Sequence, residues 1–259
     1  ENKTFEFGVN WKDYSEKALN EKRFEFAKDS LKRLFGRDSF EGFTFLDVGC
    51  GSGIFSIAAR QLGARPVLGI DISPFSIETS KKNAGRFGLS PDDPQFIQAD
   101  VLNRETTSLL GTFDFVYAWG CLHHTGRMWE AIDLVCSSVQ PGGTLILGIY
   151  NKHFTSPVWK AIKKTYNHSP SFIQKMMIYF FCFMIFVAKY LVTFKNPLQK
   201  NRGMEFYHDV VDWVGGYPYE YATSKEMIDF MKQKKFELTQ YIPCDTPIGN
   251  NEFVFTHLV

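Results

Sequence analysis

Apolar positions along this chain fall into two registers. Short apolar runs, bounded by glycine, proline or an acidic residue, recur between stretches whose apolar residues sit three and four apart. Residues 45–48, 67–70, 95–99, 113–119 and 144–150 read as buried strands. Residues 54–62, the stretch from Ser73 and Pro74 to about Phe87, and residues 127–139 read as helices between them. An earlier helix covers 21–35, with Phe24, Ala27, Leu31, Leu34 and Phe35 on one stripe and Gly36 ending it. Thr223 and Glu226 form a capping-box pattern that opens a last helix, with Met227, Ile228, Phe230 and Met231 as its buried face. Residues 236–242 and 252–258 are two closing strands, and residues 140–143 (Gln-Pro-Gly-Gly) read as a turn. Strands alternating with helices predict an α/β protein with a mainly parallel sheet.

Composition narrows this picture only modestly. The chain has 259 residues, 44% hydrophobic and 22% charged, with a net charge of +1. That is globular, and it supplies no overall field selecting nucleic acid. Aromatic residues reach 16%, with 26 Phe, which suits an aromatic-lined pocket. Cys50, Cys121, Cys136, Cys182 and Cys244 form no C-x-x-C pair. An odd number of scattered cysteines fits a reduced, cytoplasmic setting better than a disulfide framework or a zinc site. No signal-peptide pattern opens the chain.

The chemistry concentrates after the first strand. Asp47 closes that strand, and Gly49, Cys50, Gly51 and Gly53 follow in a G-x-G-x-G loop that enters a helix. Glycines there permit positive φ and close approach of a ligand, and helix-start amides favour electron-rich groups. A carboxylate at the strand end repels phosphate and suits a cationic ligand, such as an ammonium or a sulfonium. Asp71 closes the second strand 24 residues later, one β-α-β unit on, where an acidic side chain bonds ribose hydroxyls. This spacing with its strand-end Asp resembles motif I of the class I S-adenosylmethionine (SAM) methyltransferases. The resemblance covers about residues 43–150 with several motifs in order, including Pro141-Gly142-Gly143 before the fifth strand. It implies a Rossmann-like, doubly wound seven-stranded sheet with an antiparallel last strand, and SAM as cofactor. Asp47 and the glycine loop would hold its methionine part. Asp71 with Ile72 would hold the ribose and Asp100 with Val101 the adenine, and Trp119 and an N-terminal Trp11 would complete the cofactor site.

The loop after the fourth strand, Gly120 to His124, should face the methyl group, because ligands bind outside the carboxyl ends of such strands. It holds no Asn-Pro-Pro-Tyr, the motif of amino methylation, and no carboxylate cluster for a metal. His123 and His124 are the candidate general bases, since a neutral imidazole can take a proton from an attacking hydroxyl. A bracing role in the loop is the alternative. Cys121 reads as a small apolar filler.

Residues 151–218 exceed any short crossover. Within 171–194, the uninterrupted apolar run Met176–Ala188 is 13 residues, against the ~20 that a spanning helix needs. A buried helical cap is the first expectation, and peripheral membrane or lipid contact the second, with Lys163, Lys164, Lys175, Lys189, Lys195, Lys200 and Arg202 around it. Residues 202–220 concentrate ionisable and aromatic side chains. His208, Asp209, Asp212, Trp213, Tyr217, Tyr219 and Glu220 are substrate candidates there, with Tyr14 from the N-terminus and Asn251 (or Asn250) from the terminal loop. With the opening Phe-Gly-Val-Asn-Trp and the terminal Asn-Asn-Glu-Phe-Val-Phe, this stretch resembles a bacterial methyltransferase subgroup of unspecified substrate.

Together these predict an N-terminal lid and helix (1–42), a SAM-binding core (43–150), a helical cap inserted after strand five (151–218), and a last helix with terminal hairpin (219–259). The expected activity is methyl transfer to an acceptor, first of all an oxygen, on a small or lipid-like molecule. An RNA or protein methyltransferase, and a non-catalytic SAM-binding or membrane-associated scaffold, are the rivals.

Overall fold

A computed structural model describes residues 5–8, 15, 21–90, 92–194, 206–246 and 248–259. Seven strands form one sheet: β1 (Phe45–Val48), β2 (Val67–Asp71), β3 (Gln95–Gln98), β4 (Phe113–Trp119), β5 (Val139–Tyr150), β6 (Phe236–Ile242) and β7 (Asn250–His257). Their order is β3-β2-β1-β4-β5-β7-β6, with β7 antiparallel to both neighbours. The doubly wound sheet and its reversed last strand are thus as the sequence implied. The order switches direction at β1 and β4, whose carboxyl ends carry the glycine loop and the histidine loop.

Helices cover both faces. On one side, α1 (Glu21–Phe35), α2 (Ile54–Gln61) and α3 (Pro74–Arg86) enclose Phe40, Phe45, Ile57, Phe96 and Phe115. The other face packs α4 (Arg104–Leu109) and α5 (Met128–Cys136) around Val116, Leu122, Leu145 and Phe255, all fully buried. The cap supplies α6 (Ser156–His168), α7 (Ser171–Thr193) and α8 (Phe206–Gly215), and α9 (Ser224–Gln233) returns the chain to the sheet.

Two local readings change. The Pro-Gly-Gly segment is not a turn before β5 but a bulge inside it. Phe113 pairs with Val139 and Phe115 with Thr144, so residues 140–143 swell out of the ladder, with Gly142 at φ +78°. The long cap helix is not a buried one either. Ile178 is its one buried apolar side chain among those described, whereas Phe172, Met176, Tyr179, Phe180 and Phe183 are each more than half exposed. The helix is apolar on both sides, and the cap is only thick enough to cover one of them.

The capping box is present as read. Thr223 Oγ1 accepts from the Glu226 amide at 3.1 Å, and the Glu226 carboxylate accepts from the Thr223 amide at 2.8 Å. Thr223→Ala is expected to lower stability by about 1 kcal/mol, read as a shift in the urea midpoint. An unchanged midpoint would mean the helix start is held by packing alone.

Candidate functional site

The glycine loop is built for tightness. Gly49, Gly51 and Gly53 have φ of +70°, +55° and +73°. The amides of Gly49 and Cys50 donate to the Ile70 carbonyl at 2.8 and 2.9 Å, which binds the loop to β2. A Cβ on Gly49 would sit 2.5 Å from the Cys121 Cβ, so the glycine loop and the histidine loop touch directly. Cys121 fills that contact and donates its thiol to the Val48 carbonyl at 3.1 Å. Burial pushes this thiol well up, so it is a packing group rather than a nucleophile.

Two carboxylates frame the loop. Asp47 is 2% exposed, and its Oδ2 accepts from both the Ser56 amide (3.1 Å) and hydroxyl (2.6 Å). It therefore anchors the first turn of α2, while Oδ1 stands outside this pair of bonds. Burial raises its pKa to about 7, despite the two bonds from Ser56. Asp71 accepts from the Gly51 amide (3.0 Å) through one oxygen and the Ser73 amide (2.8 Å) through the other. Each oxygen keeps a lone pair, and the group is part-exposed. Beside it Ile72 is 65% exposed, an apolar side chain held in the open at a strand end. Asp100 is exposed and its Oδ1 caps the Leu102 amide at 2.9 Å, with Val101 partly covered next to it.

Buried acid, positive-φ loop, half-open acid and open apolar side chain follow one another along the carboxyl edge of β1, β2 and β3. This fits a ligand with a cationic end, a diol and a flat apolar end, the shape of SAM. Trp119, at the end of β4, donates its indole N–H to Glu252 at 3.1 Å, and Arg33 holds the other oxygen of that carboxylate at 2.9 Å. Gly148 lies under the indole, where a Cβ would come within 2.5 Å. Trp11 and Tyr14 lie outside the described residues.

The histidine loop is roofed by the cap. His123 is fully buried, and neither ring nitrogen makes a well-formed hydrogen bond. Its ring lies 4.0 Å from that of Tyr150 and 4.4 Å from that of His124. His124 Nδ1 lies 2.7 Å from the Pro218 carbonyl, which can only accept. That fixes the proton on Nδ1 and leaves Nε2 as the ring's acceptor. Burial and the Lys163 charge push the His124 pKa down to about 3, and His123 moves the same way, mainly through burial. His124 is therefore neutral near pH 7. Phe7 from the N-terminal segment packs on His124 at 4.5 Å. Glu220 staples the roof down: its amide donates to the His123 carbonyl at 3.0 Å, and its carboxylate accepts from the Met128 amide at 3.0 Å.

Above the histidines sits a buried cluster of aromatic rings around a lysine that the sequence did not disclose. Lys163 of α6 is fully buried and donates to the Trp213 carbonyl. Its ammonium lies 4.1 Å from the Trp213 ring, 4.8 Å from Tyr219 and 5.8 Å from Tyr150. Burial lowers its pKa to about 7, against the pull of Asp212. Of the substrate candidates, the structure gathers Asp212, Trp213 and Tyr219 here. Asp209 is close enough to raise the Tyr150 pKa, and His208 is buried in α8. The Tyr217 carbonyl accepts from the Phe5 amide. Asn251 is spent internally, donating to Asn151 and accepting from the Cys244 amide. Its neighbour Asn250 instead faces Gly120, with its buried Oδ1 unbonded among the described residues.

A family model described as "Methyltransferase domain" matches residues 19–229. The ubiquinone biosynthesis O-methyltransferase of Methylobacterium sp. (strain 4-46) is 32% identical over 144 residues, 53% of this chain and 55% of that protein. The ribosomal protein L11 methyltransferase of Photobacterium profundum is 38% identical over 125 residues, 45% of this chain and 36% of that protein. The chain thus spans about half the length, or less, of these curated relatives. Among solved structures, magnesium protoporphyrin IX methyltransferase from Synechocystis PCC 6803 with bound SAH superposes with a TM-score of 0.61 at 17% identity, covering 96% of this chain and 93% of that one.

Proposed function

We propose that this chain, which belongs to the methyltransferase-domain family, transfers a methyl group from SAM to an oxygen of a small, largely apolar acceptor. The observation that carries the acceptor reading is the aromatic cluster around Lys163 over the histidine loop. Tyr150, Trp213 and Tyr219 surround the buried Lys163 amine, which with a pKa of about 7 can hold or give up its proton near neutrality, and His124 offers a neutral acceptor nitrogen below. Aromatic rings around an amine suit a flat or chain-like apolar molecule better than a folded protein or an RNA. Lys163 suits an acceptor carrying a phenol, enol or carboxylate. The ubiquinone-pathway relative acts, by its name, on oxygen; the L11 relative acts on a protein, and its likeness is consistent with a shared cofactor half alone.

When bound, SAM supplies an electrophilic methyl on sulfur. The chain's own residues do the rest. Asp47 and the glycine loop fix one end of the ligand and Asp71 its diol. The cap excludes water, and Lys163 lowers the energy of an ionised acceptor oxygen. His124 is too weak a base to hold a full proton, so it orients an acceptor O–H through Nε2 rather than deprotonating it outright.

Asp71→Ala is expected to weaken S-adenosylhomocysteine binding by about 1–3 kcal/mol, the value of hydrogen bonds to a charged group. Isothermal calorimetry measures it, and wild-type-like affinity in the variant would remove Asp71 from the site. For the acceptor, radiolabelled SAM is incubated with phenolic and quinol compounds. Label transfer that Trp213→Ala and Lys163→Met both suppress, with cofactor affinity unchanged, supports this cluster as the acceptor site. Transfer to protein or RNA alone would refute it.

A further inference from the structure

We infer that the outer face of α7 docks on an anionic lipid bilayer, lying along its surface. This goes beyond the acceptor reading and does not rest on it.

The first observation is the exposed stripe. Phe172, Met176, Tyr179, Phe180, Phe183, Tyr190 and Leu191 are 49–68% exposed, and Phe194, the residue after the helix, is 82% exposed. Their spacing of three, four and seven places them along one side of α7. Monomeric proteins rarely leave so long an apolar stripe in water. The opposite side is engaged: Met177, Ile178, Phe181, Cys182, Ile185 and Phe186 pack on Tyr166, Phe206, Val210 and Val214. One window, Ser171–Ala188, has a mean hydropathy of 1.8, enough by length and composition to cross a bilayer. A crossing orientation would strip the inner side from α6 and α8, so the helix lies flat.

The second observation is charge, and it selects the occupant. The cap, residues 151–218, contains nine Lys or Arg against three Asp or Glu (Glu205, Asp209 and Asp212), all three of them after α7. The remainder of the chain holds 20 Lys or Arg against 25 Asp or Glu. A chain near neutral overall is therefore split into a basic cap and an acidic body. Lys175 is exposed one turn after Phe172, at the edge of the stripe, and Lys164 and His168 are exposed on α6 just before α7 begins. Aromatic side chains beside lysines, with no carboxylate on α6 or α7, match an interface of acyl chains and anionic headgroups. A second copy of this chain would set one basic cap against another.

The position has a consequence for the site. From Phe181 of α7, rings follow at 5.5 Å (Trp159), 5.2 Å (Trp213), 5.4 Å (Tyr150) and 4.0 Å (His123). An apolar acceptor dissolved in the bilayer would meet an aromatic route from the docked helix to the histidine loop.

The test is flotation of the purified chain with phosphatidylglycerol–phosphatidylcholine vesicles and with phosphatidylcholine vesicles. Wild type is expected to float with the anionic vesicles, less at high salt, and to leave them in alkaline carbonate. Lys164→Glu/Lys175→Glu is expected to cut the vesicle partition coefficient at least about tenfold, and Phe180→Ser/Phe183→Ser likewise. Circular dichroism and S-adenosylhomocysteine affinity should stay unchanged in both, which separates this outcome from failure of the methyltransferase reading. Four results would overturn the proposal: no flotation of folded wild type, equal binding to neutral vesicles, retention through carbonate, or a stable dimer by sedimentation that Phe180→Ser/Phe183→Ser dissolves.

Discussion

Gly53→Ala is expected to cost about 2–5 kcal/mol of folding stability and to remove measurable S-adenosylhomocysteine binding. Two costs combine. Gly53 caps α2 at φ +73°, where a side chain costs about 1–2 kcal/mol. The added Cβ would also lie 2.7 Å from the Ser80 Cβ and 3.0 Å from the Phe96 ring. Neither neighbour is a flexible tip, so α2 must shift from α3 and β3, an overpacking cost of about 1–3 kcal/mol. The shift lands on the loop that Asp47 and Asp71 organise, so binding falls with stability. Gly88 is the control, with φ +75° and nothing within 4 Å of its would-be Cβ. Gly88→Ala should carry only the left-handed cost, about 1–2 kcal/mol, and bind normally. Urea denaturation and calorimetry on both variants decide it. Equal stability losses, with binding intact in Gly53→Ala, would show that the loop has slack the distances deny.

Where the site was legible in sequence, the chemistry was local. Asp47, the glycines and Asp71 lie within one β-α-β unit, and their spacing alone says that a loop turns back on a strand end. Lys163 was read as one of several cap lysines. Its burial depends on Trp213 and Tyr219, some 50 residues on, and no periodicity in 156–168 marks it out. The Arg33–Glu252–Trp119 link joins α1, β7 and β4, three elements that only the sheet order brings together. The terminal loop shows how parity misleads. A strand beginning at 252 leaves Asn250 and Asn251 equally free, but β7 begins at Asn250, and alternation sends Asn251 inward to Asn151 and Cys244. For α7 the sequence could say that every side is apolar. It could not say how many sides the cap would cover.

Asp47→Asn is expected to move stability and affinity in opposite directions. Burial raises the Asp47 pKa from 3.8 to about 7 in the folded protein. Between those values the folded state binds a proton that the unfolded chain does not, so stability falls as pH rises from about 4 to about 7 and is level above. A shift of this size corresponds to on the order of 4 kcal/mol at about 1.36 kcal/mol per unit. Asparagine keeps an acceptor oxygen for the Ser56 amide and hydroxyl without the desolvated charge. At pH 8 the variant should therefore be more stable than wild type by several kcal/mol, and its stability should lose the decline between pH 4 and 7. A buried carboxylate that costs stability is retained for what it attracts. A cationic ligand end beside Oδ1 restores the ionised form, so binding releases a proton below pH 7. Wild-type affinity for S-adenosylhomocysteine, whose ammonium is the relevant cation, should then weaken about tenfold from pH 8 to pH 6. Asp47→Asn should bind weakly at both pH values. Calorimetry in two buffers of different ionisation enthalpy reads the proton directly. Proton release with a pH-dependent affinity, both lost in the variant, assigns Asp47 to the cofactor's cationic end. A pH-independent affinity in wild type would leave Asp47 as an anchor for Ser56 and nothing more.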